Sequence, residues 1–359
     1  VTNLSDLPLR NSLKGREPYG APQLDVDVAL NVNENTHPIP QEVAAHIVQK
    51  ISESVASVNR YPDREFLKLR EALANYLQHD LTAQQIWAAN GSNEVIQQIF
   101  QAFGGPGRKA LSFEPSYSMY SIIAQGTDTE YVKVSRGERY ELPVALAVSA
   151  VLEHQPDIVL ICSPNNPTGT PVALEVIEQV YAATSGVVIV DEAYAEFAAH
   201  DAPSALSLLP NRPRLLVSRT MSKAFAFAGA RVGYLAADPA VIDALRLVRL
   251  PYHLSSFTQA AAEAALDFAP TMLATVANIR VQKDRIIDGL VDMGLDPYRS
   301  ESNFVLFGGL HNAESIWQKL LDQGILVRNV GIPKTLRVSA GTEAETTKFL
   351  DALRAAVAK

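Results

Sequence analysis

The chain reads Asp157-Ile-Val-Leu-Ile-Cys162, then Ser163-Pro-Asn-Asn-Pro-Thr-Gly169, and after an interval Gly186-Val-Val-Ile-Val190 leading into Asp191-Glu-Ala-Tyr194. Both apolar runs are short, rich in β-branched residues and lack polar alternation, the pattern of strands covered on both faces. Leu174 to Ala182 between them has helical spacing, so the unit is strand, loop, helix, strand, loop. Such crossovers build a mainly parallel sheet layered by helices. Functional side chains then gather at the carboxyl ends of the strands.

The same alternation extends outward. Upstream, Ile86 to Ala89 runs into Asn90-Gly91-Ser92-Asn93 and a helix carrying Val95, Ile96, Ile99 and Phe100, while Lys109 to Phe113 ends at Glu114-Pro-Ser-Tyr117. Downstream, an apolar strand over Pro213 to Val217 feeds Ser218-Arg-Thr-Met-Ser-Lys223-Ala-Phe-Ala-Phe-Ala-Gly-Ala-Arg231, and a further strand is expected from Arg231 to Ala236. A long helix is expected from Met272 to Met293. Short strands follow near Asn303 to Phe307, Leu326 to Arg328 and Leu336 to Val338, with a closing helix from Glu343 to Val357. The fold class expected is α/β: a large domain with a mainly parallel sheet in α/β/α layers, plus a smaller α+β domain. The boundaries expected are an N-terminal arm over 1–35, a large domain over 36–260 and a small C-terminal domain over 261–359.

A chain of 359 residues, 47% hydrophobic and 19% charged, has the composition of a globular protein with a large core. Its formal net charge of -8 argues against a broad nucleic-acid footprint, although a local basic pocket for an anionic metabolite remains compatible with it. No run of about 18 apolar residues occurs. The opening Val1-Thr-Asn-Leu-Ser-Asp-Leu7 has neither a basic start nor an apolar signal segment, so a cytoplasmic location is expected. Cys162 is the single cysteine and no HExxH spacing occurs, so nothing in the sequence points to a metal site.

Several loop residues carry chemistry. Asp191 follows a buried strand, where an ionised carboxylate needs a cationic partner, a helix cap or a salt bridge. Lys223 lies among hydroxyls after another strand and is a candidate Schiff-base nucleophile. Gly91-Ser92-Asn93 has the form of an anion cradle at a helix N-terminus, or of a simple cap; it is neither a P-loop nor a GxGxxG fingerprint. Ser222 and Arg231 would complete a phosphate site. Tyr117 suits either ring stacking or core packing. Arg337, inside an apolar strand candidate, suits bidentate recognition of a carboxylate.

Taken in order, Asn33-Glu34-Asn35, Arg60-Tyr61-Pro62, Gly91-Ser92-Asn93, Pro164 to Gly169, Asp191 to Tyr194, Ser222-Lys223 and Leu336-Arg337 make the whole chain resemble the fold-type I pyridoxal-phosphate-dependent (class II) aminotransferases. Within them it is similar to the branch acting on histidinol phosphate. The resemblance implies pyridoxal 5'-phosphate as cofactor, carried by Lys223, with Asp191 at the ring nitrogen, Asn166 and Tyr194 at the ring oxygen and Tyr117 on the ring face. It implies Gly91, Ser92, Asn93, Ser222 and Arg231 around the phosphate, and a homodimer in which Tyr61 crosses to the other subunit. The arm would pack with the small domain and the dimer partner. For the substrate it implies Arg337, with Tyr19, Asn33 and Arg328 as helpers, and a reversible transamination pairing histidinol phosphate with 2-oxoglutarate and imidazole acetol phosphate with glutamate. An aromatic amino-acid aminotransferase is the nearest alternative. Two departures from the family pattern stand near the substrate: Thr36-His37 separate Asn35 from Pro38, and Ala340 replaces a bulkier aliphatic residue.

Overall fold

A computed structural model describes residues 3–358; Val1, Thr2 and Lys359, the outer ends of the expected arm and C-terminal domain, lie outside the described residues. Strand β1 (Val28–Ala29) lies in the arm. The central strands are β2 (Ile86–Asn90), β3 (Lys109–Glu114), β4 (Glu130–Ser135), β5 (Ile158–Cys162), β6 (Val187–Asp191), β7 (Leu215–Thr220) and β8 (Val232–Ala237). The C-terminal strands are β9 (Asp296–Pro297), β10 (Phe304–Gly308), β11 (Ile325–Leu326) and β12 (Leu336–Ser339).

The central sheet has the order β2-β8-β7-β6-β5-β3-β4. Every pairing from β7 to β4 is parallel, as the crossover pattern requires. β5, β6 and β8 are buried along their whole length, which is why they read as unbroken apolar runs. Register aligns Cys162 with Asp191 and Asp191 with Ser218, so the functional loops start at one level of the sheet.

The strand after Lys223 has a direction that apolar patterning leaves open. β8 runs antiparallel to both β7 and β2. An antiparallel neighbour needs no helical crossover, so the chain from Met221 to Arg231 turns back directly and remains at the carboxyl end of β7. Thr220 is paired with Gly233 across this connection.

The expected helix from Met272 is instead two, Ala269–Leu273 and Thr275–Asp292. Pro270 occupies the first turn of the shorter one, where its missing N–H costs no helical bond, so the helical region begins earlier than the apolar spacing suggests. Among the described residues no helix is long and apolar enough to cross a membrane.

Two apolar cores result. One lies around the central sheet. The other joins Val28 and Leu30 of the arm to Phe304, Phe307, Val338 and Phe349. This second core also takes in Tyr194 and Ala224 from the central-sheet loops, so the lysine loop lies where the two cores meet. The arm is tied there by a parallel pairing of β1 with β11 and by the Ser339 amide donating to the Leu30 carbonyl at 2.9 Å.

Candidate active site

A cavity of about 590 Å³ opens at this junction. Its wall includes Ser92, Asn93, Tyr117, Asn166, Asp191, Tyr194, Ser222, Lys223 and Arg231 on the central-sheet side. Tyr19 and Asn33 of the arm and Arg328 and Arg337 of the C-terminal region also line it. Of the residues singled out from sequence, Gly91 lies just behind the wall. Tyr61 is elsewhere in its own chain: it is 80% exposed, with its ring stacked on Tyr252 at 4.4 Å.

Asp191 closes the buried end. Its Oδ2 accepts a 2.6 Å hydrogen bond from the Tyr120 hydroxyl, whereas Oδ1 is buried and closes no hydrogen bond with any described residue. Burial pushes the carboxyl up to about 6, against the Tyr120 bond and the nearby Ala193 amide, which favour the ionised form. Sequence reasoning missed Tyr120. It lies one helical turn beyond Tyr117, edge-on to that ring at 5.5 Å, and nothing in Ser118-Met-Tyr120 marks it apart from an ordinary core aromatic.

Lys223 lies in the turn-back between β7 and β8, and its Nζ donates to the Val32 carbonyl at 3.0 Å. Burial first, and then the Arg337 and Arg231 charges, bring its amine down to about 8, opposed by Glu34. About a tenth of the amine is therefore neutral at pH 7, far more than for an ordinary lysine, and the neutral amine is the form needed for attack on a carbonyl.

The arm meets the site through three successive residues. Asn31 accepts from Arg337 Nη2 through its carbonyl at 2.9 Å, Val32 accepts from Lys223, and Asn33 Nδ2 donates to the Tyr194 hydroxyl at 3.0 Å. Tyr194 accepts a second bond, 3.1 Å, from Asn166 Nδ2, while Asn166 Oδ1 accepts from Arg337 Nη1 at 2.6 Å. With two amides donating to its oxygen, the Tyr194 hydroxyl keeps its own proton for a ligand acceptor. Burial holds that proton on, raising the hydroxyl above its ordinary value. Arg337 sits on β12 opposite Leu306 of β10, its guanidinium 5.0 Å from the Phe304 ring. Burial, with Arg328 adding to it, lowers the guanidinium to about 10, and its Nε has no partner among the described residues.

The other end of the cavity is built for an anion. The helix Ser92–Phe103 begins at its edge, and Gly91 before it has φ 87°, a conformation that favours glycine. A Cβ on Gly91 would stand 2.4 Å from Arg231 Nη2. Gly233 matters as much: a Cβ there would fall 2.0 Å from the Ser92 nitrogen, so only glycine lets the helix N-terminus press against β8. Arg231 is in the left-handed region at φ 57° and makes no ion pair with an acid among the described residues. The Thr220 hydroxyl donates to Ser222 Oγ at 3.0 Å and accepts from the Ser222 amide at 3.1 Å, fixing that side chain.

The residues present therefore fit the implied cofactor. A buried carboxylate oxygen without a donor stands at one end, a cationic cradle with helix N–H groups at the other, and a low-lying lysine amine between them. Tyr117 flanks this space.

Such a fold and site define an aminotransferase of the class I and II type. Residues 26–353 match the family described as aminotransferase class I and II, and the chain belongs to it, among the histidinol-phosphate aminotransferases. It is 61% identical over 358 residues to the histidinol-phosphate aminotransferase of Paenarthrobacter aurescens (strain TC1), covering 99% of this chain and 96% of that one. With the histidinol-phosphate aminotransferase of Thermobifida fusca (strain YX) it shares 54% identity, covering 99% and 97%. The crystal structure of histidinol-phosphate aminotransferase from Sinorhizobium meliloti in complex with pyridoxal-5'-phosphate superposes with a TM-score of 0.83 at 25% identity, covering 92% of this chain and 91% of that one.

Proposed function

We propose that the protein transfers an amino group reversibly between histidinol phosphate and 2-oxoglutarate, giving imidazole acetol phosphate and glutamate, with pyridoxal 5'-phosphate as cofactor. The observation carrying this reading is that one cavity holds an amine brought down to about 8 at Lys223 and a buried, donor-less carboxylate oxygen at Asp191. Similarity to histidinol-phosphate aminotransferases at 51–61% identity supports the choice of substrate.

When bound, the cofactor supplies an aldehyde that takes up an amine and a protonated ring that withdraws electrons from the bond being broken. Lys223 would hold it and, with its amine free, would take the proton from the substrate α carbon as base and return it as acid. The Val32 carbonyl gives the freed amine a resting acceptor. Asp191 Oδ1 would accept from the ring N–H, with Tyr120 keeping that carboxylate oriented through Oδ2. Tyr194 and Asn166 would hold the ring oxygen, and Tyr117 would cover a ring face. Ser92, Asn93, Ser222 and Arg231 would hold the phosphate in the space Gly91 leaves open. Arg337 binds the carboxylate of glutamate or the phosphate of histidinol phosphate, with Arg328, Tyr19 and Asn33 completing that wall.

The working unit in this reading is a homodimer in the cytoplasm, with Tyr61 reaching the phosphate of the partner's site. Support comes from exposed apolar side chains: Tyr252, on which Tyr61 stacks, and Val58, Leu247 and Leu250, which lie near these two in sequence. The arm over 1–35, the large domain over 36–260 and the small domain over 261–359 remain the proposed division, the arm serving as wall and strap.

The test compares donors with 2-oxoglutarate as acceptor and glutamate formation as readout. Cofactor-loaded protein is expected to use histidinol phosphate at least about tenfold better in kcat/KM than phenylalanine, a gap of about 1.4 kcal/mol. Equal use would move the assignment to an aromatic amino-acid aminotransferase. Lys223→Ala is expected to lose about 10²- to 10⁴-fold in rate through proton transfer alone. Borohydride reduction followed by peptide mapping should place the cofactor mass on the Lys223 peptide of the parent protein only.

A further inference from the structure

The ionisable groups on the cavity wall are unequally accounted for. Its bases are Lys223, Arg231, Arg328 and Arg337, and each has a task in the function proposed above. Its acids are Asp191 and Glu34. Asp191 belongs to the cofactor's ring nitrogen, which leaves Glu34 without a role.

Glu34 is held in place by its neighbours. Asn33, with φ 59°, turns the chain in the left-handed region, donates its amide to Ser339 Oγ at 3.0 Å and has its carbonyl bonded by Asn303 Nδ2 at 3.0 Å. On the other side, Asn35 Nδ2 donates to Thr275 Oγ1 at 2.9 Å and to the Ala224 carbonyl at 3.2 Å. Both asparagines are buried, whereas Glu34 between them is exposed and faces the cavity. Its carboxylate makes no hydrogen bond or ion pair with any described residue. It is also close enough to oppose the lowering of the Lys223 amine. A pinned backbone thus presents a carboxylate without a partner among the described residues to a cavity otherwise rich in cations.

We infer that Glu34 determines donor specificity by accepting a hydrogen bond from the ring N–H of an azole-bearing amino donor. This rests on the proposed function and deepens it. An imidazole always carries at least one N–H donor, and two when protonated. A phenyl ring carries none, and the distal carboxylate of glutamate meets Glu34 as a like charge. The residue thus favours the azole donor over both competitors while Arg337 and Arg328 serve the anionic end of each substrate.

The test uses cofactor-loaded wild type, Glu34→Ala and Glu34→Gln. Because hydrogen bonds to charged groups are among the stronger ones, Glu34→Ala is expected to raise KM for histidinol phosphate about 10- to 100-fold with little change in kcat. KM for phenylalanine should stay unchanged, and KM for glutamate should fall. Glu34→Gln, which keeps shape and a neutral acceptor, should lie between wild type and Glu34→Ala for histidinol phosphate. Calorimetric titration supplies a second readout with phosphoethanolamine, which keeps the amine and phosphate but lacks the ring: its affinity should be the same in wild type and Glu34→Ala. An equal weakening of histidinol phosphate and phosphoethanolamine would mean that Glu34 meets the amine or acts structurally, and would overturn the inference. So would an unchanged KM for histidinol phosphate. If wild type itself does not turn over histidinol phosphate, the proposed function fails first and the inference with it.

Discussion

Asp191 and Glu192 are successive residues at the carboxyl end of β6, both nearly inaccessible to solvent at 2% and 5%, yet their surroundings differ completely. Glu192 Oε2 accepts from Ser204 at 2.7 Å and from Arg219 at 2.8 and 3.0 Å, and its Oε1 accepts from the Ala205 amide at 2.7 Å. Arg219 also approaches Glu196, at 3.5 Å. Asp191 has the Tyr120 hydroxyl on one oxygen and no bond on the other. A buried carboxylate without full pairing is expensive. A fold that satisfies one and leaves its neighbour short places an architectural charge beside one that the proposed function reserves for the cofactor. Alternation of side-chain direction along the strand makes this division possible between adjacent positions.

The contrast breaks if the two residues can exchange roles. The largest effect on stability is expected for Glu192→Gln, which leaves the Arg219 guanidinium short of its main counter-charge. Breaking a buried pair commonly costs about 3 to 5 kcal/mol, and the nearby Glu196 sets the expectation at the lower end. The denaturation midpoint in urea should fall accordingly, while turnover per folded molecule stays within a few-fold of wild type. A Glu192→Gln protein with full stability and no turnover would reverse the division. Asp191→Asn should do the opposite, lowering kcat/KM by about 100- to 1000-fold, or about 2.7 to 4 kcal/mol, through loss of one preorganised charge. Circular dichroism and gel filtration should find it folded. Full activity would remove Asp191 from the site.

Much of this contrast is legible in the sequence, and unevenly so. The apolar run before Asp191 locates its carboxylate at a strand end, and the spacing to Tyr194 brings the tyrosine into the same loop. Nothing in the sequence separates Asp191 from Glu192 by partner, because Ser204, Arg219 and Tyr120 come from three distant segments and meet only through sheet order. Gly233 is similarly silent: its need for a bare Cα appears only once β8 lies against the start of the Ser92–Phe103 helix. The direction of β8 was open because apolar patterning records burial and not polarity of pairing. Arg337 was readable, since a charge within an apolar strand is unusual, but its bond to Asn166 joins positions 171 residues apart.

The smallest expected effect sharpens the comparison most, because it isolates the cost of the unpaired carboxylate in the cofactor-free chain. The Asp191 carboxyl rises from an ordinary 3.8 to about 6 on folding. Below the lower value both folded and unfolded chains hold the proton, so the residue imposes no electrostatic penalty there. Between the two values the unfolded chain ionises first, so it binds fewer protons than the folded one and stability falls as pH rises. Above about 6 the penalty is constant, on the order of 2 to 3 kcal/mol, since each pH unit of separation is worth about 1.4 kcal/mol. The amide introduced by Asp191→Asn does not titrate. The cofactor-free variant should therefore unfold at higher urea than wild type at pH 8, and the gap should shrink steadily as pH is lowered through 6 toward 4. Other groups contribute equally to both proteins, so the difference curve reports this carboxyl. Adding the cofactor should reverse the order at pH 8, because only the aspartate gains a partner for its free oxygen. A pH-independent gap would mean that Asp191 is already paired in the empty chain, and would erase its distinction from Glu192.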